Sequence, residues 1–249
     1  MPEPYFKDDH VQLYLGDMRE VLPALGVTAD LIVADPPYTE TSLEWDCWPD
    51  GWPTLAATAT SSMWCFGSMR MFLDRREEFV GWKLSQDVIW QKRNATGPDA
   101  DRFRRIHEHA LHWYRGAWRD VHHEPQRITT GVIHRRPVTQ GRKDIYQRGE
   151  YRTGSWSDDG TRLRTSILQA RSMHRNGGIH PTQKPLDLLA PLIEYACPPG
   201  GLVIDPFAGS ASTLEAARLT GRRAIGIERH EPYIEAAARR LAHTPMELS

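Results

Sequence analysis

The sequence predicts an α/β fold, specifically a doubly wound, mostly parallel sheet, and three observations lead to that prediction. Short apolar runs alternate with amphipathic stretches along residues 13–114 and again along 186–242. The run Leu31–Ala34 is apolar at every position, which is typical of a strand covered by helices on both faces. A chain of 249 residues with 40% hydrophobic content is long enough for one large α/β domain with an insertion.

The elements before residue 115 are predicted from periodicity and from turn residues. Gly26 and Gly67 each stand where an apolar pattern stops, which is typical of an element's end. The predicted strands are 13–15, 31–34, 63–66, 87–90 and 110–114, and the predicted helices are 18–25 and 71–79. Regular patterns return with helices over 186–196, 212–220 and 232–242, and strands over 202–205 and 224–228.

The segment from Arg115 to Asn176 shows little periodicity and few aliphatic residues. A stretch this long without regular structure inside a compact domain is usually functional. We therefore expect three parts: 1–114 and 176–249 form the main domain, and 115–175 is a basic insertion.

Charge is unevenly distributed along the chain, although the net charge is only −1. Residues 115–175 carry 13 Arg and Lys against 6 Asp and Glu, a surplus of +7, which leaves −8 on the remainder. A basic segment on an acidic body favours a polyanion-binding surface, although a solvated loop is the alternative. The expected nucleic-acid contacts are Arg135, Arg136, Arg142, Lys143, Arg148 and Arg152.

The composition also argues against several other classes of protein. Three scattered cysteines favour neither a disulfide framework nor a zinc site, so we expect no metal. No stretch approaches the roughly 18 apolar residues of a membrane span. The residues after Met1 lack the features of a signal peptide, and a cytoplasmic location is expected.

A ligand site is predicted where the apolar strand 202–205 turns into a helix. Small residues follow Asp205 and Phe207, and they let backbone approach a ligand at the carboxyl end of a parallel strand. Glu228 ends the next strand, where an acidic residue typically holds ribose hydroxyls. A merely tight connection is the alternative, but the strand–turn–helix–strand–Glu spacing favours a nucleotide-like ligand.

The tetrapeptide Asp35-Pro36-Pro37-Tyr38 follows the buried strand 31–34. Each proline fixes φ, so this is a rigid loop whatever else it does. Its rigidity also suits chemistry on an aromatic amine, whose lone pair is delocalised into the ring. A carboxylate and a backbone carbonyl that accept the two N–H bonds would localise that lone pair. Tyr38 offers a π-face on which a base could stack.

Taken together, the chain resembles the DNA amino-methyltransferases of bacteria and phages, in the subgroup where the catalytic motif precedes the cofactor motif. Asp35–Tyr38 matches the family's Asp-Pro-Pro-Tyr loop, and 207–211 matches its Phe-x-Gly-x-Gly loop with Ala211 at the second glycine. Residues 180–185 are similar to its His-Pro-Thr-x-Lys-Pro segment, Gly16-Asp17 to its acidic turn, and His107-Glu108 also fits. The match leaves out residues 115–173.

The resemblance implies a fold of the S-adenosylmethionine-dependent methyltransferase type, with S-adenosylmethionine as cofactor and double-stranded DNA as substrate. Asp35, Pro36, Pro37 and Tyr38 would be catalytic, acting on a base flipped out of the duplex. The implied cofactor-binding residues are Asp17, Thr182, Lys184, Asp205, Phe207, Ala208, Gly209, Ser210, Ala211 and Glu228.

Some questions stay open at this stage. The Asp at the start of the loop favours adenine N6 as target, with cytosine N4 as the alternative. Methylation at cytosine C5 is disfavoured because no Cys follows Pro. An RNA or protein amide methyltransferase and an inactive DNA-binding homologue are further alternatives, the last because of Ala211. A homodimer and a cognate restriction enzyme occur among the partners of family members.

Overall fold

The structure is a computed structural model that describes residues 2–39, 46–96, 101, 103–129, 159–170 and 183–243. The helices in these ranges are α1 (Met18–Leu25), α2 (Trp52–Ala59), α3 (Met69–Asp74), α4 (Leu186–Ala196), α5 (Ser212–Leu219) and α6 (Glu231–His243). The strands are β1 (Phe6–Lys7), β2 (Val11–Leu15), β3 (Leu31–Ala34), β4 (Ser62–Gly67), β5 (Lys83–Thr96), β6 (Arg105–Tyr114), β7 (Arg127–Thr129), β8 (Thr161–Leu163), β9 (Ile167–Gln169), β10 (Leu202–Asp205) and β11 (Arg223–Glu228). None of the described helices is long and apolar enough to cross a membrane.

The main sheet has nine strands in the order β1-β2-β11-β10-β3-β4-β6-β5-β9. Within it, β1 and β6 run against the direction of the other strands. Strands β10 and β3 are parallel neighbours at the centre of the sheet. The chain leads from β10 to β11 on one side and from β3 to β4 on the other side. Ligands of open α/β sheets bind at such a reversal, outside the carboxyl ends of the strands.

Helices cover both faces of this sheet, which confirms the doubly wound α/β class. Along β3, Leu31 and Val33 belong to the core shared with α4, α5 and α6. Ile32 and Ala34 belong to the core shared with α1, α2 and α3. All four side chains are at most 1% exposed, because successive strand residues point to opposite faces and both faces are packed.

Helix α1 shows how sequence sets the local structure at the edge of the sheet. Asp17 caps its first turn by accepting the backbone N–H of Arg19, and Gly26 ends it with φ 60°. The buried residues of α1 stand one helical turn apart: Met18, Val21, Leu22 and Leu25. The predicted bounds of this helix are confirmed.

Several elements differ from the sequence prediction. The helix predicted over 71–79 is α3 followed by a separate 3-10 turn at Arg76–Phe79, because Arg75 leaves helical geometry between them. Helix α2 was not predicted, because six of its eight residues are apolar and the contrast between its faces is therefore weak. Strands β5 and β6 extend beyond the predicted 87–90 and 110–114, because they stabilise each other by antiparallel pairing.

The prediction of little regular structure between Arg115 and Asn176 is wrong in part, because the described residues of this segment include three strands. Strand β9 pairs in parallel with β5, through Ile89 opposite Ile167 and Trp90 opposite Leu168. Pro125–Thr165 forms a separate compact unit in which β7 and β8 pair antiparallel. Strands of three residues are too short to show alternation, so only their pairing partners reveal them.

Candidate active site

The candidate site is assembled from the ends of several strands at one edge of the sheet. Asp35 follows β3, Asp205 ends β10 and Glu228 ends β11. The backbone N–H of Gly16, just after β2, donates to the carbonyl of Glu228 at 2.9 Å, which joins two of these ends. Strand β6 runs the other way, so its amino-terminal half brings Glu108 to the same edge.

The loop Asp35–Tyr38 is held by its own tyrosine. Pro36 is buried beneath the loop, while Asp35 and Tyr38 are partly exposed. The Tyr38 hydroxyl lies 2.5 Å from Asp35 Oδ1 and 2.9 Å from Glu108 Oε1, so one proton is shared between two acceptors. Burial raises the pKa of Tyr38 well above its usual range, and the charges of Asp35 and Glu108 raise it further. Tyr38 therefore stays a neutral donor.

A chain of alternating charges continues from this loop into the protein. The Lys184 Nζ lies 2.5 Å from Asp35 Oδ2 and 3.0 Å from Glu108 Oε1. The Lys92 Nζ lies 2.7 Å from Glu108 Oε2. Lys184 is only 7% exposed, so it is no ordinary surface lysine.

The charged neighbours of Glu108 and Lys184 oppose the effect of burial on the pKa of each of these two residues. Burial alone would raise the pKa of Glu108, but Lys184 and Lys92 outweigh that effect and lower it to about 2. Burial alone would lower the pKa of Lys184, but Asp35 and Glu108 outweigh it and raise the pKa. The Lys184 ammonium also lies 5.0 Å from the centre of the Phe66 ring, a cation–π contact.

The loop after β10 has the compact shape that the sequence predicts for a ligand turn. Asp205 Oδ1 accepts the backbone N–H of Phe207 at 3.0 Å. The Phe207 ring packs edge-on against Trp52, with centroids 5.3 Å apart. The N–H of Ala208 donates to the Ile227 carbonyl at 2.9 Å, which holds the loop beside β11.

Ala211 occupies a left-handed backbone conformation at the start of α5, with φ 60° and ψ 26°. Glycine adopts this region freely, whereas a residue with a Cβ is strained there by about 1–2 kcal/mol. The Ala211 methyl group is fully buried, and that burial offsets about 0.8 kcal/mol of the strain. The departure from the family pattern therefore falls on a residue whose backbone favours glycine.

Helix α6 anchors the same loop from below. Arg240 donates to the Ser212 Oγ at 3.0 Å and to the Ser210 carbonyl at 3.3 Å. It also forms an ion pair with Glu215, and both side chains are largely buried. Ser210 Oγ lies 3.0 Å from Ser212 Oγ, so the first turn of α5 and the loop before it are one hydrogen-bonded unit.

Glu228 touches the loop directly. Its Oε2 accepts the N–H of Gly209 and its Oε1 accepts the N–H of His230, each at 2.8 Å. Every carboxylate oxygen has two lone pairs, so both oxygens can still accept a hydrogen bond from a hydroxyl group.

Burial raises the pKa of Asp205 to about 7, and the charges of Asp35 and Glu228 add to that rise. A nearby positive charge would favour the ionised form of Asp205, so this position suits a cationic ligand.

The other predicted site residues divide into two groups. Asp17 is the N-cap of α1 and also pairs with Arg19, with 2.7 Å between Oδ2 and the guanidinium. Outside the described residues lie Thr182, Arg135, Arg136, Arg142, Lys143, Arg148 and Arg152.

Two charged residues of the site received no role from the sequence. Glu108 was noted only for its fit to the family, and Lys92 was not singled out. The signal for Glu108 was a carboxylate two positions from Ile106 and Ala110, and therefore on the same side of the strand as these apolar residues, of which Ala110 is buried. No comparable signal marked Lys92, because its partner stands 16 residues away on the neighbouring strand.

The chain is similar in sequence to proteins that are named as methylases or methyltransferases. The chain is 56% identical over 63 residues to a protein named as a methylase, YubD of Escherichia coli (strain K12). These residues are 25% of this chain and 28% of YubD. Type II methyltransferase M.ScaI of Streptomyces caespitosus is 26% identical over 96% of this chain and 84% of its own length. M2.DpnII of Streptococcus pneumoniae is 24% identical over 97% of this chain and 93% of its own length.

Solved structures share the fold. M1.HpyAVI, solved as a complex with SAM, superposes with a TM-score of 0.62 at 24% identity, covering 93% of this chain and 99% of that one. The cytosine-N4-specific PvuII DNA methyltransferase gives 0.64 at 17% identity, covering 100% of this chain and 91% of that one. The profile of the N6/N4 DNA methylase family matches residues 29–239, a span that holds the Asp35 loop, the Asp205 loop and Glu228. By that match, the chain belongs to the N6/N4 DNA methylase family.

Proposed function

We propose that this protein transfers a methyl group from S-adenosylmethionine to the exocyclic amino group of a base in double-stranded DNA, with adenine N6 as the target. The observation that carries the proposal is the Asp35 carboxylate, held by Tyr38 and Lys184 at the sheet edge that also carries the Asp205 loop and Glu228. An acceptor for an amine and a loop suited to a nucleoside thus lie at the same edge of the sheet.

Asp35 and a backbone carbonyl of its loop accept the two N–H bonds of the base amine. These contacts draw nitrogen out of conjugation, and they stabilise the positive charge that develops there. Tyr38 donates to Asp35, so the carboxylate is oriented before the base arrives. The exposed part of the Tyr38 ring offers a stacking surface to a base that has left the duplex.

The residues at the Asp205 loop fit S-adenosylmethionine. Its ribose hydroxyls suit the remaining lone pairs of Glu228. Its cationic sulfonium would favour the ionised form of Asp205, whose pKa is raised. When bound, it supplies an electrophilic methyl group for direct in-line transfer. Solved relatives of the fold include complexes with S-adenosylmethionine, among them a DNA modification methylase from Thermus thermophilus, with a TM-score of 0.52.

Cytosine N4 is the second candidate target, because the cytosine-N4-specific PvuII enzyme has the same fold. The amine chemistry is the same for both bases, so Asp35 serves either. We also propose that the basic residues of 115–175 contact DNA, with phosphates as the main partners. A second protomer and a cognate restriction enzyme are further partners suggested by the family.

The experiment is methyl transfer from tritiated S-adenosylmethionine to duplex DNA, RNA and bulk protein, with the Asp35→Ala variant as control. Digestion of labelled DNA to nucleosides then separates N6-methyladenine from N4-methylcytosine. We expect label in duplex DNA and in N6-methyladenine. Label confined to RNA or protein would refute the DNA proposal, and label in N4-methylcytosine would refute adenine. Sequencing with modification detection would then give the target motif.

A further inference from the structure

The charge cluster behind the catalytic loop is built from four separate parts of the chain. Asp35 follows β3, Lys184 precedes α4, Glu108 is in β6 and Lys92 is in β5. Their charges alternate along the chain of contacts, with successive nitrogen–oxygen distances of 2.5, 3.0 and 2.7 Å. Two carboxylates and two ammonium groups cancel, which is the arrangement that a buried charge cluster needs.

The position of Lys184 bears on the cofactor role that the family resemblance implies for it. Its ammonium is committed to Asp35 and Glu108, and the Phe66 ring covers another side at 5.0 Å. An ammonium has three donors, and two of them are used in these contacts. A cofactor carboxylate at Lys184 would compete with Asp35 for the same charge.

We propose that Lys184 is the fixed counter-ion of Asp35, and that Glu108, itself held by Lys92, positions Lys184 through a hydrogen bond that a neutral acceptor such as Gln can replace. The inference rests on the proposed function, in which Asp35 accepts the N–H bonds of the base amine. Its consequence is that Asp35 stays ionised, as an acceptor only, beside other negative charge. A protonated Asp35 would present a donor to the amine and lose that contact.

The other groups around Asp35 explain why a counter-ion is required. Asp205 at the end of β10 and Cys65 on β4 both respond to the charge of Asp35. Burial, with the Asp35 charge as a smaller cause, raises the pKa of Cys65 well above its usual range, so this thiol is neutral. Tyr38 is neutral as well. Without Lys184, Asp35 would face the carboxylates of Glu108 and Asp205 with no cation in contact.

Opposite charge changes at two positions should therefore move the pH profile in opposite directions. Lys184→Met removes the cation. The midpoint of the acid limb in the pH profile of the single-turnover rate should therefore move to higher pH by about one to three units. Glu108→Gln removes a negative charge but keeps an acceptor for Tyr38 and Lys184. The midpoint of its acid limb should therefore stay at the wild-type pH or move to lower pH. A general loss of packing would not produce this sign difference.

Single-turnover rates are measured at saturating S-adenosylmethionine and duplex DNA from pH 5 to pH 9. Calorimetry gives the dissociation constant of S-adenosylmethionine for each variant. For Lys184→Met we expect a rate about 10²-fold lower at neutral pH and a dissociation constant within about threefold of wild type. The matched control is Lys83→Met at the other end of β5, where the ammonium donates to the Gly116 carbonyl; it should keep wild-type values.

Two results would overturn the proposal. A dissociation constant raised about 10- to 100-fold in Lys184→Met, with an unshifted pH profile, would make Lys184 a cofactor ligand instead. A profile for Glu108→Gln that shifts upward like that of Lys184→Met would reject the charge argument. If Lys184→Met does not fold, Lys184→Arg replaces it, and full activity of the Arg variant with Glu108→Gln unshifted still supports the counter-ion.

A readout without catalysis separates this inference from the proposed function. The carboxyl carbon of Asp35 is followed by NMR in aspartate-labelled protein, and its signal is assigned with Asp35→Asn. The titration midpoint of the Asp35 carboxyl signal should rise by about one to three pH units in Lys184→Met, and it should not rise in Glu108→Gln. If wild type methylates no nucleic acid, the proposed function fails, yet these midpoints still decide whether Lys184 holds Asp35 ionised.

Discussion

Replacing His112 with Gln should remove a pH dependence of folding that the wild-type protein shows between pH 6.5 and about pH 4. His112 lies in β6, four residues after Glu108 and towards the end of the strand that is farther from the active-site edge, and it is fully buried. Its Nε2 is 3.0 Å from the Ser62 hydroxyl and its Nδ1 is 2.6 Å from the Ser85 hydroxyl. The Trp64 ring lies 4.7 Å away. The two hydroxyls satisfy a neutral imidazole, and among the described residues no carboxylate pairs with it.

Burial, helped by the charge of His123, lowers the pKa of His112 from 6.5 to about 4. The unfolded chain binds the proton at higher pH than the native state. The contribution of neutral His112 to the free energy of unfolding is therefore fully present above pH 6.5. It is lost as the pH falls towards 4. At about 1.36 kcal/mol per pKa unit, the loss is about 3 kcal/mol.

Urea unfolding at pH 7.5, 6, 5 and 4.5 measures this effect in wild type, in His112→Gln and in the control His10→Gln, which changes an exposed histidine. Asp205, whose raised pKa acts in the opposite direction, is present in all three proteins and cancels in the differences. Wild type and His10→Gln should lose stability in parallel, and His112→Gln should lose about 2–3 kcal/mol less. Equal pH slopes for all three proteins would refute the reasoning.

Other substitutions test the site directly. Asp35→Ala should reduce methyl transfer by 10²–10³ while S-adenosylmethionine binding stays within a few-fold, as measured by single-turnover assay and calorimetry; activity above about a tenth of wild type would contradict its role. Glu228→Ala should weaken that binding by about tenfold through lost hydroxyl contacts, and an unchanged calorimetric affinity would count against it. Ala211→Val should cost about 2 kcal/mol in urea unfolding, because a β-branched residue is strained at φ 60°, whereas Ala211→Gly should stay within about 1 kcal/mol of wild type; equal stabilities for both variants would disprove the left-handed conformation.

Local features of the sequence predicted most of the elements and both loops of the site. The caps and buried spacing of α1, the apolar run of β3 and the strand–turn–helix pattern after Asp205 are short-range signals. Each depends on neighbours within a few residues, so each is visible without the fold. Helix α2 and the three-residue strands escaped because their stability comes from distant partners rather than from their own periodicity.

The sequence by itself determined the doubly wound class, the rigid Asp35–Tyr38 loop and the small-residue turn after Asp205. Only the tertiary structure decided which charges meet. Lys184 stands 149 positions from Asp35 in the chain, and Glu108 reaches Tyr38 because β6 runs antiparallel to β4. Contacts between charges depend on distance in space and on burial, and neither follows from spacing along the chain when the groups come from different strands.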